Sequence, residues 1–213
     1  MVKRTDYGKL IIWGVILAMS ATCEGVPVAG HPSEGRVGSA KNGKKILMVI
    51  AQEGFRDEEL LIPHKEFTKN GFKVIIASTS SEEAIGKLGA RVKPDIEISK
   101  VNFLDYDAIA VVGGPGSREY LWNNKILLKG LVDAFAKGKV VSAICISPVV
   151  LAKAGVLKGR KATVFPDAEA ERELKKAGAI YTAKPVVVDG KIVTGDGPGA
   201  ASKFAQEIMK LLK

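Results

Sequence analysis

The stretch Lys139–Gly155, KVVSAICISPVVLAKAG, changes character half-way along, and that change decides the fold. Lys139 to Ile144 is a short apolar run of the kind shown by a strand buried on both faces in a parallel sheet. Ser147 to Ala154 then reads as a short helix, opened by Ser147-Pro148 and closed by Gly155. Cys145 stands at the junction, with the small residues Ser142, Ala143 and Ser147 around it, as a sharp strand-to-helix turn requires. Two readings of Cys145 follow. It is a nucleophile presented on an elbow, or a small apolar residue packed where two elements meet.

Outward from this stretch the same alternation repeats. Lys45–Ala51 (KILMVIA), Phe72–Ser78 (FKVIIAS) and Ala108–Gly116 (AIAVVGGPG) read as buried strands, the last ending in a glycine loop. Helices are expected over Asp57–Asn70, bent at Pro63, and over 124–137, Ala168–Ala177 and Ala200–Leu212. Leu88–Val101 alternates, as an edge hairpin or extended excursion does, and Lys161–Phe165 reads as a further strand. Pro185–Gly195 is a hairpin around Asp189-Gly190. Strands alternating with helices through short loops give a doubly wound α/β sandwich, with its ligand crevice at the carboxyl ends of the strands. Two loops fall on that edge: Gly113-Gly114-Pro115-Gly116 and Ala143–Pro148.

On an elbow, Cys145 would receive the N–H groups and positive dipole end of the helix starting near Ser147, which lowers a thiol pKa below its free value of about 8.5. The amides of Gly113 and Gly114 are the candidate oxyanion hole. Composition narrows the rest. The formal charge of +9 is spread among acidic residues, and aromatic residues are only 6%, which favours a solvated lysine-rich surface over a nucleic-acid site. Two cysteines imply no disulfide framework, and two histidines, His31 and His64, no histidine-built metal site.

The amino-terminal residues differ in kind. Lys3, Arg4 and Lys9 precede the apolar run Leu10–Ala21, and small residues lead to Cys23. Residues 1–23 are expected to be a signal peptide, a lipoprotein signal acylated at Cys23, or an N-terminal anchor. Ser20 stands where a lipobox has leucine. Residues 24–43, with five glycines and two prolines, read as a linker, and 44–213 as one domain. The expected placement is extracytoplasmic or membrane-anchored through this segment; the alternative is cytoplasmic.

The order KILMVIA, FRDEEL, VVGGPG, AICISPVVLAKAGVLKGRKATVFP and VVVDGKIVTGDGPGAA resembles the DJ-one/PfpI family of the class I glutamine amidotransferase-like superfamily. The resemblance covers Lys44 to Lys213 and implies a flavodoxin-like fold, a reactive Cys145, and an oxyanion-type loop at Gly113 and Gly114. It also implies no metal or organic cofactor, assembly as a homo-dimer or higher homo-oligomer, and peptidase, glyoxalase, deglycase, chaperone or redox-sensing activity on peptides or small carbonyl compounds. Two departures stand out. PfpI-type proteases have histidine directly after the cysteine, and this chain has Ile146, while His64 reads as a helix-surface or interface residue. The family's glutamate is expected directly after the aromatic of FRDEEL, where this chain has Arg56. Arg56 would then hold Cys145 as thiolate or pair with an anionic ligand. Otherwise it points to solvent, and Glu53, Asp57 or Glu58 does the carboxylate's work. These departures leave two functions open: a cysteine-dependent hydrolase or glyoxalase-like enzyme, and a non-catalytic redox-sensing, chaperone-like or ligand-binding module.

Overall fold

The computed structural model describes residues 43–213. The expected leader, Cys23 and nearly all of the linker lie outside the described residues. Strand β1 (Lys45–Val49) is followed by a short β2 (Glu53–Phe55), helix α1 (Asp57–Lys69) and β3 (Lys73–Ser78). A small excursion holds β4 (Ala84–Gly86), β5 (Arg91–Val92) and β6 (Ile96–Glu97). Then come β7 (Ala108–Val111), α2 (Ser117–Tyr120), α3 (Lys125–Ala136), β8 (Val140–Ile144) and α4 (Pro148–Lys153). The chain closes with β9 (Lys161–Ala162), α5 (Ala168–Lys176), β10 (Ile180–Tyr181), the hairpin β11 (Val186–Asp189) and β12 (Ile192–Gly195), and α6 (Ala201–Leu211).

Seven strands form the main sheet in the order β11-β12-β8-β7-β1-β3-β6. All neighbours are parallel except the β11–β12 hairpin. The apolar runs are continuous because these strands are covered on both faces: Ile46, Leu47, Met48 and Val49 are wholly buried, as are Ile109, Ala110 and Val111. Helices α1 and α6 pack together, and α3, α4 and α5 form a second packed group. From β1 the chain crosses to β3 on one side, and from β3 it returns past β1 to β7 on the other. That reversal opens a crevice at the carboxyl ends of β1 and β7, with β8 beside it.

The doubly wound sandwich expected from the sequence is therefore present, and helix α1 runs on through the buried Pro63. Two readings change. Only Lys161–Ala162 of the Lys161–Phe165 run is strand, and it pairs with β10 in a separate two-stranded sheet. The chain then leaves that pairing because Phe165 donates its N–H to the Cys145 carbonyl at 2.8 Å. The Leu88–Val101 stretch divides: β5 closes an antiparallel turn with β4, and β6 joins the main-sheet edge against β3.

The turn between β4 and β5 is tied to α1. The buried Asp57 carboxylate accepts N–H from Leu88 and from Ala90, both at 2.8 Å. Gly86 approaches that carboxylate so closely that a Cβ would lie 2.6 Å from Asp57 Oδ1. Replacing Asp57 by alanine leaves two backbone donors without their partner. The expected loss is about 2–4 kcal/mol in urea unfolding, with Asp57→Asn losing less; a loss under about 0.5 kcal/mol for Asp57→Ala would show that the tie carries no stability.

Candidate functional site

The elbow is real in the backbone. Cys145 has φ 64°, and among the described residues no other non-glycine has positive φ. Such a conformation costs on the order of 1–3 kcal/mol and persists only where neighbours hold it. Here the Cys145 N–H donates to the Gly195 carbonyl on β12 at 2.9 Å, and its own carbonyl accepts from Phe165. The residue is clamped on both sides. Its side chain is 8% exposed, at the floor of the crevice.

Ser147 does not cap α4. Its hydroxyl donates to the Val112 carbonyl at 2.7 Å and therefore receives the Ser117 hydroxyl, also at 2.7 Å. These two bonds join the elbow after β8 to the glycine loop after β7. That loop lies against α1, where the Arg56 N–H donates to the Gly113 carbonyl at 2.9 Å. Gly114 has φ 100°, and a Cβ there would collide with the Gly54 carbonyl and the Arg56 nitrogen. Loop, elbow and helix start are one packed unit.

The carboxylate beside the sulfur is Glu59, and this corrects the sequence reading that placed Arg56 in its slot. Glu59 is fully buried and its Oε2 accepts the Gly113 N–H at 3.0 Å; a Cβ on Gly113 would lie 2.4 Å from both this oxygen and the Cys145 Cβ, so the carboxyl is packed beside the cysteine. Oε1 has no nitrogen or oxygen partner among the described residues. The alternatives named from sequence are otherwise engaged. Asp57 holds the β4–β5 turn, Glu58 pairs with Arg56, and Glu53 is exposed on β2. Because its N–H is committed to Glu59, Gly113 is not a free oxyanion donor. The amides that favour ionisation of the thiol are those of Gly114 and Ile146.

Arg56 does line the crevice and acts electrostatically on both Glu59 and Cys145. Its fork, however, is taken by Glu58, with Nε to Oε2 at 2.8 Å and Nη2 to Oε1 at 3.1 Å. That pairing raises the guanidinium pKa. His64 is on α1 and does not line the crevice, and Ile146 does.

Burial pushes the Glu59 carboxyl up to about 7, against its hydrogen bonds to Cys145 and Gly113. Burial, and then the Glu59 charge, push the Cys145 thiol up to about 12 against the Gly114 and Ile146 amides. The expectation of a simply lowered thiol pKa, drawn from the α4 terminus, is thereby corrected: removal from water outweighs the nearby donors. The two shifts are linked, since the Glu59 charge acts on the thiol only while Glu59 is ionised. Carboxyl and thiol share their protons as one unit.

The crevice above the pair has a volume of about 320 Å³ and is bounded by Arg56, Lys87, Arg118, Phe165 and Asp167. A larger hollow of about 420 Å³ lies between α3 and the turn at Phe103, and Cys145 does not line it. Among the described residues no group of three acidic, histidine or cysteine side chains is placed to hold a metal ion, and no helix is long and apolar enough to cross a membrane.

With this geometry in view, comparison with known proteins is direct. The sequence model of the DJ-1/PfpI family matches residues 44–211. The chain belongs to the DJ-1/PfpI family. An uncharacterized protein of Methanocaldococcus jannaschii is 53% identical over 169 residues, spanning 79% of this chain and 82% of the relative. The protein named deglycase PfpI of Pyrococcus furiosus is 36% identical over 169 residues, covering 79% of this chain and 99% of its own. Among solved structures, the ThiJ/PfpI domain protein of Brachyspira murdochii aligns with a TM-score of 0.76 at 31% identity, over 80% of this chain and 98% of its own. DJ-1beta of Drosophila melanogaster gives 0.72 at 29% identity, over 79% and 89%.

Sequence reasoning brought Cys145, Gly113, Gly114 and Arg56 to one crevice and missed Glu59, Lys87, Arg118 and Phe165. A signal for Glu59 was present: it shares the four-residue spacing of the buried α1 positions Pro63 and Phe67, an acid on an apolar stripe.

The Glu59 shift has a consequence for stability. The folded state keeps the proton up to about 7, whereas the unfolded chain releases it near 4.5. Stability from this group is therefore full below pH 4.5 and is lost as pH rises through 7. Glu59→Gln cannot ionise. It should gain stability relative to the parent between pH 5 and pH 8 by about 2–3 kcal/mol in urea unfolding, and the same offset at both pH values would contradict the shift.

Proposed function

We propose that Cys145 is the nucleophile of a deglycase- or glyoxalase-like reaction on small reactive carbonyl compounds, with Glu59 as its proton carrier. The observation that carries this reading is the buried Glu59 carboxyl packed beside Cys145, across the spot where a side chain on Gly113 would stand. When the pair loses its first proton near pH 7 it is the Glu59 carboxyl that ionises, and the remaining proton is held on the sulfur. The Glu59 carboxylate accepts that proton as the sulfur attacks, and the Gly114 and Ile146 amides favour the thiolate so formed.

With a 2-oxoaldehyde the steps balance. The thiolate adds to the aldehyde carbon, a C–S bond forms, and the carbonyl π pair moves to oxygen, which takes the Glu59 proton. The Glu59 carboxylate next removes the proton from that carbon, and the electron pair moves through the carbon–carbon bond to the ketone oxygen, which takes that proton to give an enediol. The hydroxyl beside the sulfur then gives its proton to Glu59 as its C=O forms, and Glu59 protonates the neighbouring carbon, so the hemithioacetal becomes a thioester. Water then releases a 2-hydroxy acid and restores the thiol. Relatives named deglycases support the same class of chemistry.

Peptide cleavage is the weaker reading. An unactivated amide needs an acid for the leaving amine, and Ile146 leaves the crevice without an imidazole. A non-catalytic module rested on the absence of both histidine and glutamate, and Glu59 removes half of that premise.

The test is consumption of methylglyoxal by the purified chain. Cys145→Ser should abolish it, and Glu59→Gln should lower kcat by about 10²-fold or more while Cys145 stays open to alkylation. Turnover unchanged in Cys145→Ser would overturn the proposal, and full turnover in Glu59→Gln would remove Glu59 from it.

A further inference from the structure

Three cations face the Cys145 crevice, and they are not equivalent. Arg56 is held by both oxygens of Glu58. Arg118 is paired with Asp167 at 2.7 Å and Glu169 at 2.9 Å, and its guanidinium lies over the Trp122 ring, 5.1 Å from the centroid. Lys87 makes no ion pair among the described residues. The only carboxylate lining the crevice, Asp167, is already bonded to Arg118 and to the Ala170 N–H. The space above the sulfur therefore has one uncommitted charge on its wall, and it is positive.

The backbone that carries that charge is fixed from below. The Lys87 N–H donates to the Phe55 carbonyl at 2.8 Å, and the next residues are held by the Asp57 carboxylate through Leu88 and Ala90. The same segment, Phe55 to Glu59, carries Arg56 and the acid beside the thiol. Lys87 is thus anchored to the element that builds the reactive pair, although its side chain is free in solvent. The opposite wall offers Phe165, an aromatic 41% exposed.

We infer that Lys87 is a specificity-determining residue that selects carbonyl compounds bearing a carboxylate, at the expense of neutral and cationic ones. One unpaired ammonium matches one negative charge. A phosphate dianion would call for a cradle of several donors, and the arginines that could supply it are occupied. The inference rests on the proposal that Cys145 is the reacting nucleophile.

The probes are two alkylating reagents that differ in charge, iodoacetate and iodoacetamide, applied to the full chain and followed at the Cys145 peptide by mass. The ratio of the two rates cancels the thiolate fraction and leaves the effect of charge at the site. The ratio of iodoacetate to iodoacetamide should exceed that of the urea-unfolded chain by about five- to tenfold, fall about threefold or more in Lys87→Ala, reverse in Lys87→Glu, and diminish in high salt. A native ratio equal to the unfolded one, or a ratio unmoved by Lys87→Ala, overturns the selectivity while Cys145 reacts normally with both reagents. Resistance of Cys145 to both would instead sink the nucleophile proposal and this inference with it.

Discussion

A carboxyl group buried against a thiol is the constraint on which the rest of this structure depends. Glu59 is taken wholly out of water, and only one of its oxygens, bonded to the Gly113 N–H, has a nitrogen or oxygen partner. An isolated carboxylate in that position is costly, so the group holds its proton to about 7. In a site shaped only for stability, an amide or an apolar residue would serve better. The penalty leaves a group that exchanges its proton near neutral pH beside Cys145.

Much of the surrounding structure serves to hold these two groups together. The crossover from β1 through α1 brings Glu59 to the sheet edge, and the chain reversal at β1 and β7 opens the crevice there. Cys145 is kept in a left-handed backbone by bonds from β12 and from the segment leading to α5. The Ser117–Ser147–Val112 chain locks the two loops in register. A Cβ on Gly113 would meet both Glu59 and Cys145, so the absence of a side chain there is what lets acid and thiol meet. Strain and desolvation are concentrated at one point, and the continuous apolar sheet beneath it supplies the stability that offsets them.

The sheet was legible in sequence because its signal is local. Four apolar runs, three of them followed by a helix-like segment, admit few topologies, and the small residues around Cys145 announce a tight turn. The site was less legible because its partners are set by tertiary placement. FRDEEL offers four charged residues in a row, and only the helix start at Asp57 decides which faces inward. Counting from the aromatic residue selected Arg56. The helical register, which puts Glu59 in line with Pro63 and Phe67, selects the right one. Lys87 was invisible for a different reason. Its turn is attached to α1 by the side chain of Asp57 across more than thirty residues, and no periodicity in either segment records that bond. The truncation of Lys161–Phe165 has a similar origin, since the pull on Phe165 comes from the Cys145 carbonyl.

The location of the shared proton is the central claim, and the pH dependence of Cys145 alkylation by a neutral reagent measures it most directly. If the last proton of the pair resides on the sulfur, the thiolate fraction stays small after Glu59 ionises near 7, and the rate keeps rising without a plateau as pH approaches 12. If it resides on Glu59, the rate instead rises through a single inflection near 7 and is already at its plateau by about pH 8.5. The first profile is the one this structure requires; the second would contradict it.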